Sequence, residues 1–308
     1  MRNQTQVGDF ILLGITNVQG LRHFFFTSFL LLYLTCLLGN GAIVAVVLCE
    51  PRLHTPMYFF LGNLSCLDIF YSTVTVPKML TGFLFGHQTI SFAGCLAQLH
   101  FFHFLGSTEA VLLAAMAYDR YVAICNPLRY ALVMSPRTCL LLAGASWSTG
   151  LVHATMHSLM TSQLTFCGHS HIHHFFCDIK PLLSLACSSI SLNMSLLNIV
   201  TPIIALCPLI LIVLSYLYII FFVIQNVRSH EGRWKPFSTC ASHLTVVGLL
   251  YIPVLFNYAQ PSSGSFLERD VKGTLMYSAI TPALNPLIYT LRNQEVTSAL
   301  KKMLWRKL

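Results

Sequence analysis

Residues 201–224 read TPIIALCPLILIVLSYLYIIFFVI and contain no Asp, Glu, Lys or Arg. They lie within a longer charge-free stretch, residues 181–227. Because a helix needs about 20 apolar residues to span a bilayer, this stretch is long enough for one span. The whole chain agrees: of its 308 residues 55% are hydrophobic and only 9% are charged, against about 25% in soluble domains. The composition excludes an ordinary soluble globule and favours a membrane protein.

Other parts of the chain are also free of charge. These stretches cover residues 23–49, 79–108, 138–177, 236–267 and 273–291. Two further apolar segments each carry one isolated carboxylate, Asp68 or Glu109. Together they predict an all-α membrane protein, a bundle of seven helices. The predicted spans are residues 23–48, 57–80, 91–125, 138–160, 193–226, 236–259 and 273–291.

Lys and Arg predict the orientation of this bundle, because basic loops tend to stay in the cytoplasm. Placing the C-terminal side inside puts twelve of the 18 basic residues on that face and six on the other. We therefore expect a plasma-membrane protein with its N-terminus outside and its C-terminus inside. The net charge of +8 then reflects a basic inner rim facing anionic lipid or an acidic partner, and nucleic acid is not expected.

The eleven cysteines divide by predicted depth. Seven fall in the spans or near the inner face, where a reduced, packed thiol is expected. Four fall on the outer side, namely Cys95, Cys167, Cys177 and Cys187. An even number in an oxidising compartment suggests two disulfides, but four cysteines allow three pairings. The residues alone leave the pairing open.

Two other features of the predicted outer face bear on modification and metal binding. Asn3-Gln4-Thr5 is a glycosylation sequon in the N-terminal tail. The outer loop carries a group of histidines, with His171 and His173 at alternate positions. This spacing could gather imidazoles around copper or zinc. Solvated loop histidines are the alternative.

Six motifs carry a family resemblance. In chain order they are Gly39-Asn40, PMYFFL (56–61) with Leu67-Asp68, MAYDRYVAIC (116–125), Ser215-Tyr216, KPFSTCASH (235–243) and PALNPLIY (282–289). This set resembles the signature of olfactory receptors, which are rhodopsin-like G protein-coupled receptors, and most resembles their tetrapod-type (class II) branch. The resemblance implies a receptor that binds a small volatile odorant and activates a stimulatory, olfactory-type G protein to raise cAMP. The alternative is a receptor outside the nose for a small metabolite, lipid or peptide.

The resemblance also implies a domain organisation. Residues 1–22 are then an extracellular tail, residues 23–291 the seven-helix domain, and residues 292–308 a cytoplasmic tail with a short amphipathic helix. The second outer loop covers about residues 161–192. By family position, the implied disulfides join Cys95 to Cys177 and Cys167 to Cys187.

Rival classes lack their expected signals. A transporter would show paired halves with matching interrupted helices, and no such repeat is visible. An intramembrane enzyme would need a nucleophile with a base, or metal ligands. His153 and His157 stand one helical turn apart, but no acidic residue accompanies them. We therefore expect no enzymatic activity and no required cofactor.

The resemblance assigns coupling roles near the inner face. Arg120, between Asp119 and Tyr121, would hold a neighbouring acid at rest and meet the G protein when the bundle opens. The alternative is an arginine that only snorkels to the membrane edge. The remaining residues implied in activation are Tyr216, Lys235, His243, Asn285, Pro286 and Tyr289.

Asp68 and Glu109 are two carboxylates at mid-membrane depth. Because like charges close together cannot both ionise cheaply, either a cation lies between them or one of them is protonated. A sodium site near Asn285 is one interpretation. A protonated Glu109 that donates a hydrogen bond is the other.

The ligand pocket is expected in the outer half of the bundle. On the third helix, one face at helical spacing presents Phe102, His103, Gly106, Ser107 and Ala110. The family's pocket positions add Val200, Thr201, Ile204, Tyr251, Val254, Tyr258, Tyr277 and Ser278. Each aromatic taken singly is more often packing than ligand contact. Because this proposed lining contains no Asp, Glu, Lys or Arg, we expect a small, neutral, mostly apolar ligand held by one or two hydrogen bonds.

Overall fold

A computed structural model describes residues 9–14, 18–86, 88–168, 171–227, 230–258 and 266–305. In chain order the helices are α1 Gln19–Cys49, α2 Pro56–Phe85, α3 Phe92–Cys125, α4 Tyr130–Val133, α5 Pro136–Ser162, α6 Ile179–Leu183, α7 Ser191–Ser195, α8 Thr201–Asn226, α9 His230–Tyr258, α10 Phe266–Leu275, α11 Thr281–Arg292 and α12 Gln294–Trp305. The π-helical turns Leu196–Val200 and Met276–Ile280 join α7 to α8 and α10 to α11. The seven predicted segments lie on helical residues with two exceptions: Ser91, the first residue of the third segment, belongs to a β-strand, and residue 259, the last of the sixth, lies outside the described residues.

Several of these helices are apolar enough to cross a membrane. Among the described residues, four meet both the length and the hydropathy that a span requires: Gly20–Cys49, Pro56–Phe85, Phe92–Cys125 and Ser191–Asn226. In α9 the residues whose side chains are described form a shorter apolar segment, Cys240–Phe256. Large apolar side chains cover the outside of the bundle, as on α8, where Ile210, Leu214 and Phe221 are more than half exposed. Such a surface suits lipid as its solvent.

A small β-sheet was missed by the all-α prediction. Strand β1, Asp9–Leu12, lies between β2, Gln88–Ser91, and β3, His171–Ile172. It runs antiparallel to β2 and parallel to β3. The sheet lies where α2 ends and α3 begins, which is the outer end in the predicted orientation. It was missed because these strands have two to four residues, too few for a period-2 pattern to be recognised.

A hydrophobic core separate from the core of the helix bundle lies under this sheet. Phe10 of β1 is fully buried, and its ring meets Phe166 edge to face at a centroid distance of 5.4 Å. Two disulfides fasten the same region. Cys95 at the start of α3 is bonded to Cys177 of the outer loop, and Cys167 is bonded to Cys187 within that loop. These are the two pairings that the family resemblance implied.

Helices α1 and α11 meet closely at a proline. A Cβ atom on Gly39 would lie 2.8 Å from the Pro286 side chain, so glycine is needed for this approach. Pro286 has no N–H, and the carbonyl of Pro282, four residues earlier, therefore lacks its helical donor. Asn40 Nδ2 donates to that carbonyl at 3.0 Å and to its own Cys36 carbonyl at 3.1 Å. The polar side chain of Asn40 thus joins two helices.

The same compensation occurs in α9. Pro253 cannot donate to the carbonyl of Leu249, four residues earlier. The Thr281 hydroxyl, at the start of α11, donates to this carbonyl at 3.3 Å. A hydroxyl of the neighbouring helix therefore satisfies the group that the proline leaves free.

The buried position of Phe10 generates a stability prediction. Phe10→Ala removes a fully buried ring, and such a change costs about 3–5 kcal/mol. We expect a lower melting temperature of the purified protein. Phe85→Ala, at a side chain that is 73% exposed, is the matched control and should leave the melting temperature nearly unchanged. Equal melting temperatures for both variants would contradict a structural role of β1.

The disulfide between Cys95 and Cys177 generates a second prediction. Cys95→Ala or Cys177→Ala frees the long outer loop from α3, and loss of such a bridge costs a few kcal/mol. We expect surface expression, measured by antibody labelling of intact cells, or the response to ligand to be lost. Cys207→Ala, at an exposed free cysteine, should behave as the unmodified protein. A normal response from both bridge variants would refute the assignment.

Candidate functional site

A cavity of about 110 Å³ lies among α2, α3, α5, α8, α9 and the π-helical turn before α11. Its walls are mostly apolar and aromatic. The lining residues are Tyr71, Phe102, His103, Gly106, Ser107, Ala110, His153, Thr201, Ile204, Ala205, Leu250, Tyr251, Val254 and Tyr277. Pockets that bind drug-sized ligands measure about 300–1,000 Å³, so this cavity suits a smaller molecule.

Ten of the thirteen predicted ligand residues line this cavity. They are Phe102, His103, Gly106, Ser107, Ala110, Thr201, Ile204, Tyr251, Val254 and Tyr277. Val200 and Ser278 are not among the lining residues. Ser278 is fully buried, and Val200 ends the π-helical turn before α8. The side chain of Tyr258 lies outside the described part of the chain.

Four lining residues were not predicted: Tyr71, His153, Ala205 and Leu250. The sequence did mark His153, because His157 follows it by one helical turn. That pair was considered only for catalysis, since the sequence does not fix which way α5 is rotated. In the structure α5 packs along α3 and turns both histidines inward, so that they are 2% and 0% exposed.

These histidines form a polar network at the cavity wall. His153 Nδ1 lies 2.7 Å from Ser107 Oγ, and His153 Nε2 lies 3.1 Å from Thr201 Oγ1. His157 Nε2 is 3.0 Å from the same Thr201 oxygen and 3.2 Å from His153 Nε2. The ring of His103 stacks on that of His157 at 4.9 Å. Three imidazoles and two hydroxyls therefore meet where α3, α5 and α8 converge.

An aromatic side chain of the outer loop packs over α3. The ring of Phe176 lies 4.6 Å from that of Phe102. One helical turn away, Gln98 Oε1 accepts the Cys177 N–H at 2.9 Å, and its Nε2 donates to Val74 O at 2.9 Å. The disulfide-bonded loop is thus held against α2 and α3 beside the cavity.

The inner end of α3 carries the predicted coupling group. Arg120 Nε donates to Asp119 Oδ2 at 2.9 Å, and its Nη2 contacts the same oxygen. Asp119 Oδ1 accepts a hydrogen bond from Tyr130 at 2.7 Å. Burial and this bond raise the pKa of the Tyr130 phenol above its ordinary value. Arg120 is therefore paired with the acid next to it in sequence, and the ring of Tyr121 faces Tyr218 of α8 at 5.3 Å.

The other predicted coupling residues lie on α8, α9 and α11. Tyr216 is bonded to His243 across α8 and α9, with 2.8 Å between Oη and Nδ1. Tyr289 is buried, and its Oη has no hydrogen-bond partner among the described residues. The side chain of Lys235 lies outside the described part of the chain.

The two buried carboxylates differ in their partners. Asn285 Nδ2 donates to both oxygens of Asp68, at 3.1 and 3.0 Å. Glu109 Oε1 is buried and has no hydrogen-bond partner in the described chain. Asp68 is 1% exposed and Glu109 is 3% exposed. Their burial leaves two acidic groups and one amide between α2, α3 and α11.

Two expectations on the outer face meet different outcomes. His171 and His173 are both exposed, and within the described ranges no group of three or more His, Cys, Asp or Glu residues could hold a metal ion. Metal binding by this pair stays a prediction. Asn3 lies outside the described residues.

Comparison with known proteins gives one family. The family model for olfactory receptors matches residues 29–307. Human olfactory receptor 12D1 is 56% identical over 100% of this chain and 97% of its own length. Human olfactory receptor 12D3 is 56% identical, over 100% and 98%. Mouse olfactory receptor 5B21 is 45% identical, over 99% and 96%.

These relatives match nearly from end to end, and the motifs that suggested the family lie within the matched region. Known members are receptors rather than enzymes. The family therefore confirms the prediction that this chain is not an enzyme. The chain therefore belongs to the olfactory receptor family of G protein-coupled receptors.

Proposed function

We propose that this chain is an odorant receptor that binds a small, neutral, mostly apolar volatile in the cavity between α3, α5, α8 and α9. The single observation that carries this proposal is the lining of that cavity. It holds aromatic and aliphatic side chains with a few hydroxyls and imidazoles, and no Asp, Glu, Lys or Arg. Such a lining offers shape and one or two hydrogen bonds, which suits a neutral ligand.

We also propose the finer topology. Seven spans, with the N-terminus outside, the C-terminus in the cytoplasm and α12 lying along the inner surface, are supported by the bias of basic residues toward one face. The oxidised Cys95–Cys177 pair belongs on the opposite, extracellular side. We also propose that the protein resides in the plasma membrane.

Signal transfer is proposed to run through the inner ends of α3, α8 and α9. The Arg120–Asp119 pair would hold the closed state, and the Tyr216–His243 bond joins two helices that must separate when the bundle opens. An opened bundle would leave Arg120 and Tyr216 free to meet a stimulatory G protein. The product of that coupling would be cAMP.

The screen that tests the function uses cells expressing the full chain and a cAMP reporter. We apply a panel of volatiles alongside small metabolites, lipids and peptides. A response to volatiles supports the proposal. Silence to every volatile together with a response to a peptide or lipid would replace it with the non-olfactory alternative.

Coupling generates its own prediction. Arg120→Ala removes the guanidinium that pairs with Asp119, and we expect normal surface expression with loss of the cAMP response to an activating volatile. Arg137→Ala, at an exposed arginine on the same predicted face, is the matched control and should keep the response. An unchanged cAMP response in Arg120→Ala would leave the arginine as a snorkelling side chain.

The buried carboxylates carry a further proposal, a sodium ion held by Asp68. Two carboxylates without a compensating cation cannot both ionise cheaply in this setting. We expect that replacing sodium by choline raises the basal cAMP of the unmodified receptor and leaves that of Asp68→Asn unchanged. If the basal cAMP of both proteins is independent of sodium, the pair is better described by a protonated Glu109 than by a sodium site.

A further inference from the structure

The cavity wall contains polar atoms that the protein does not satisfy. His103 of α3 and Tyr251 of α9 both line the cavity. Among the described residues, neither His103 Nε2 nor Tyr251 Oη has a hydrogen-bond partner, and both atoms are buried. Because an unsatisfied buried polar group is costly, an occupant of the cavity that pairs with these atoms gains affinity.

The His153 network adds a third polar atom, Ser107 Oγ, which can act as a hydrogen-bond donor or acceptor. A neutral imidazole has one N–H and one acceptor nitrogen. If His153 Nδ1 carries the hydrogen, it donates to Ser107 Oγ, His153 Nε2 accepts from Thr201, and the Ser107 hydrogen is free. If Ser107 instead donates to Nδ1, Nε2–H donates to Thr201, and the Ser107 oxygen is free to accept. Ser107 can therefore offer a donor or an acceptor.

A ligand group that both donates and accepts hydrogen bonds can satisfy more of these polar atoms than a group that only accepts. An ether or carbonyl oxygen only accepts, so it satisfies Ser107 in one of its two arrangements and cannot donate to an acceptor nitrogen of His103. A hydroxyl can accept from Tyr251 and also donate its one hydrogen. When Ser107 presents its hydrogen, the hydroxyl accepts from Ser107 as well and donates to an acceptor nitrogen of His103. When Ser107 presents its oxygen, the hydroxyl donates to Ser107 instead. The cavity carries no charged lining residue, so the group need not be ionised.

We infer that the ligand of this receptor carries a hydroxyl group, as a small alcohol or phenol, and that His103, Ser107 and Tyr251 bind its oxygen. His153 is a positioning residue, because it sets which atom Ser107 presents. This inference rests on the proposed odorant-binding role of the cavity, and it names a functional group where the sequence predicted a small, neutral, mostly apolar ligand.

The first test compares matched ligand pairs. Cells expressing the full chain are given small alcohols and phenols, each beside its methyl ether, up to millimolar concentration, with cAMP as the readout. Each ether keeps the carbon skeleton and loses only the donor. We expect alcohols to be about tenfold more potent, as one or two net hydrogen bonds allow. Equal potency, or ethers preferred, overturns the inference.

The second test assigns the preference to residues. Ser107→Ala and His103→Phe should each lower alcohol potency about three- to tenfold. Ether potency should stay unchanged in His103→Phe, and in Ser107→Ala it should fall less than alcohol potency does. Their matched controls are Ser158→Ala and His100→Phe, at a pair that is hydrogen-bonded to each other at 3.0 Å and does not line the cavity. The controls should keep the full preference. An equal loss for alcohols and ethers in Ser107→Ala would overturn the hydrogen-bonding role.

His153→Phe separates positioning from folding. We expect it to shrink the ratio of alcohol to ether potency at unchanged surface expression, which a merely structural residue would not do. An unchanged ratio refutes its positioning role. Responses to ketones or esters without any preference for alcohols would overturn this inference alone, whereas silence to every volatile overturns the proposed function as well.

Discussion

The carbonyl of Pro282 constrains the whole bundle, because it is buried and Pro286 cannot supply the N–H that would normally satisfy it. In a bilayer no water can take that place, and an unsatisfied group is expensive. The amide of Asn40 supplies the donor, which fixes the distance between α1 and α11. Gly39 then has to be a glycine, since any Cβ would strike Pro286. One missing hydrogen thus explains why these motif residues occur together.

The parts of the fold that could be predicted are those that depend on composition or on the family's sequence pattern. The apolar content of residues 201–224 is enough to predict a helix. The partners of Cys95 and Cys167 needed the family resemblance, because counting cysteines left three pairings. Strand β1 was out of reach of both arguments. Four residues carry too little pattern, and its partners lie about 80 and 160 positions away in the chain.

The site shows the same division. The α3 wall of the cavity followed from helical spacing, since residues three and four apart share a face. His153 did not follow, although its type and spacing were noticed. Which face of α5 turns inward depends on packing against α3, and the sequence of α5 has polar and apolar residues all round. A helix with so weak a pattern cannot be oriented before its neighbours are placed.

The bond from Thr281 to the Leu249 carbonyl bears on how α9 can bend. A proline-broken helix flexes easily only if its freed carbonyl stays satisfied throughout the motion, and here the donor belongs to α11 rather than to α9. This bond therefore holds α9 to α11 at Leu249, next to Leu250 and Tyr251, two residues of the cavity wall. The part of α9 before Leu249 can then bend relative to the part that contains Pro253. A ligand that shifts the cavity wall slightly would then cause a larger displacement at the start of α9, the end far from the cavity.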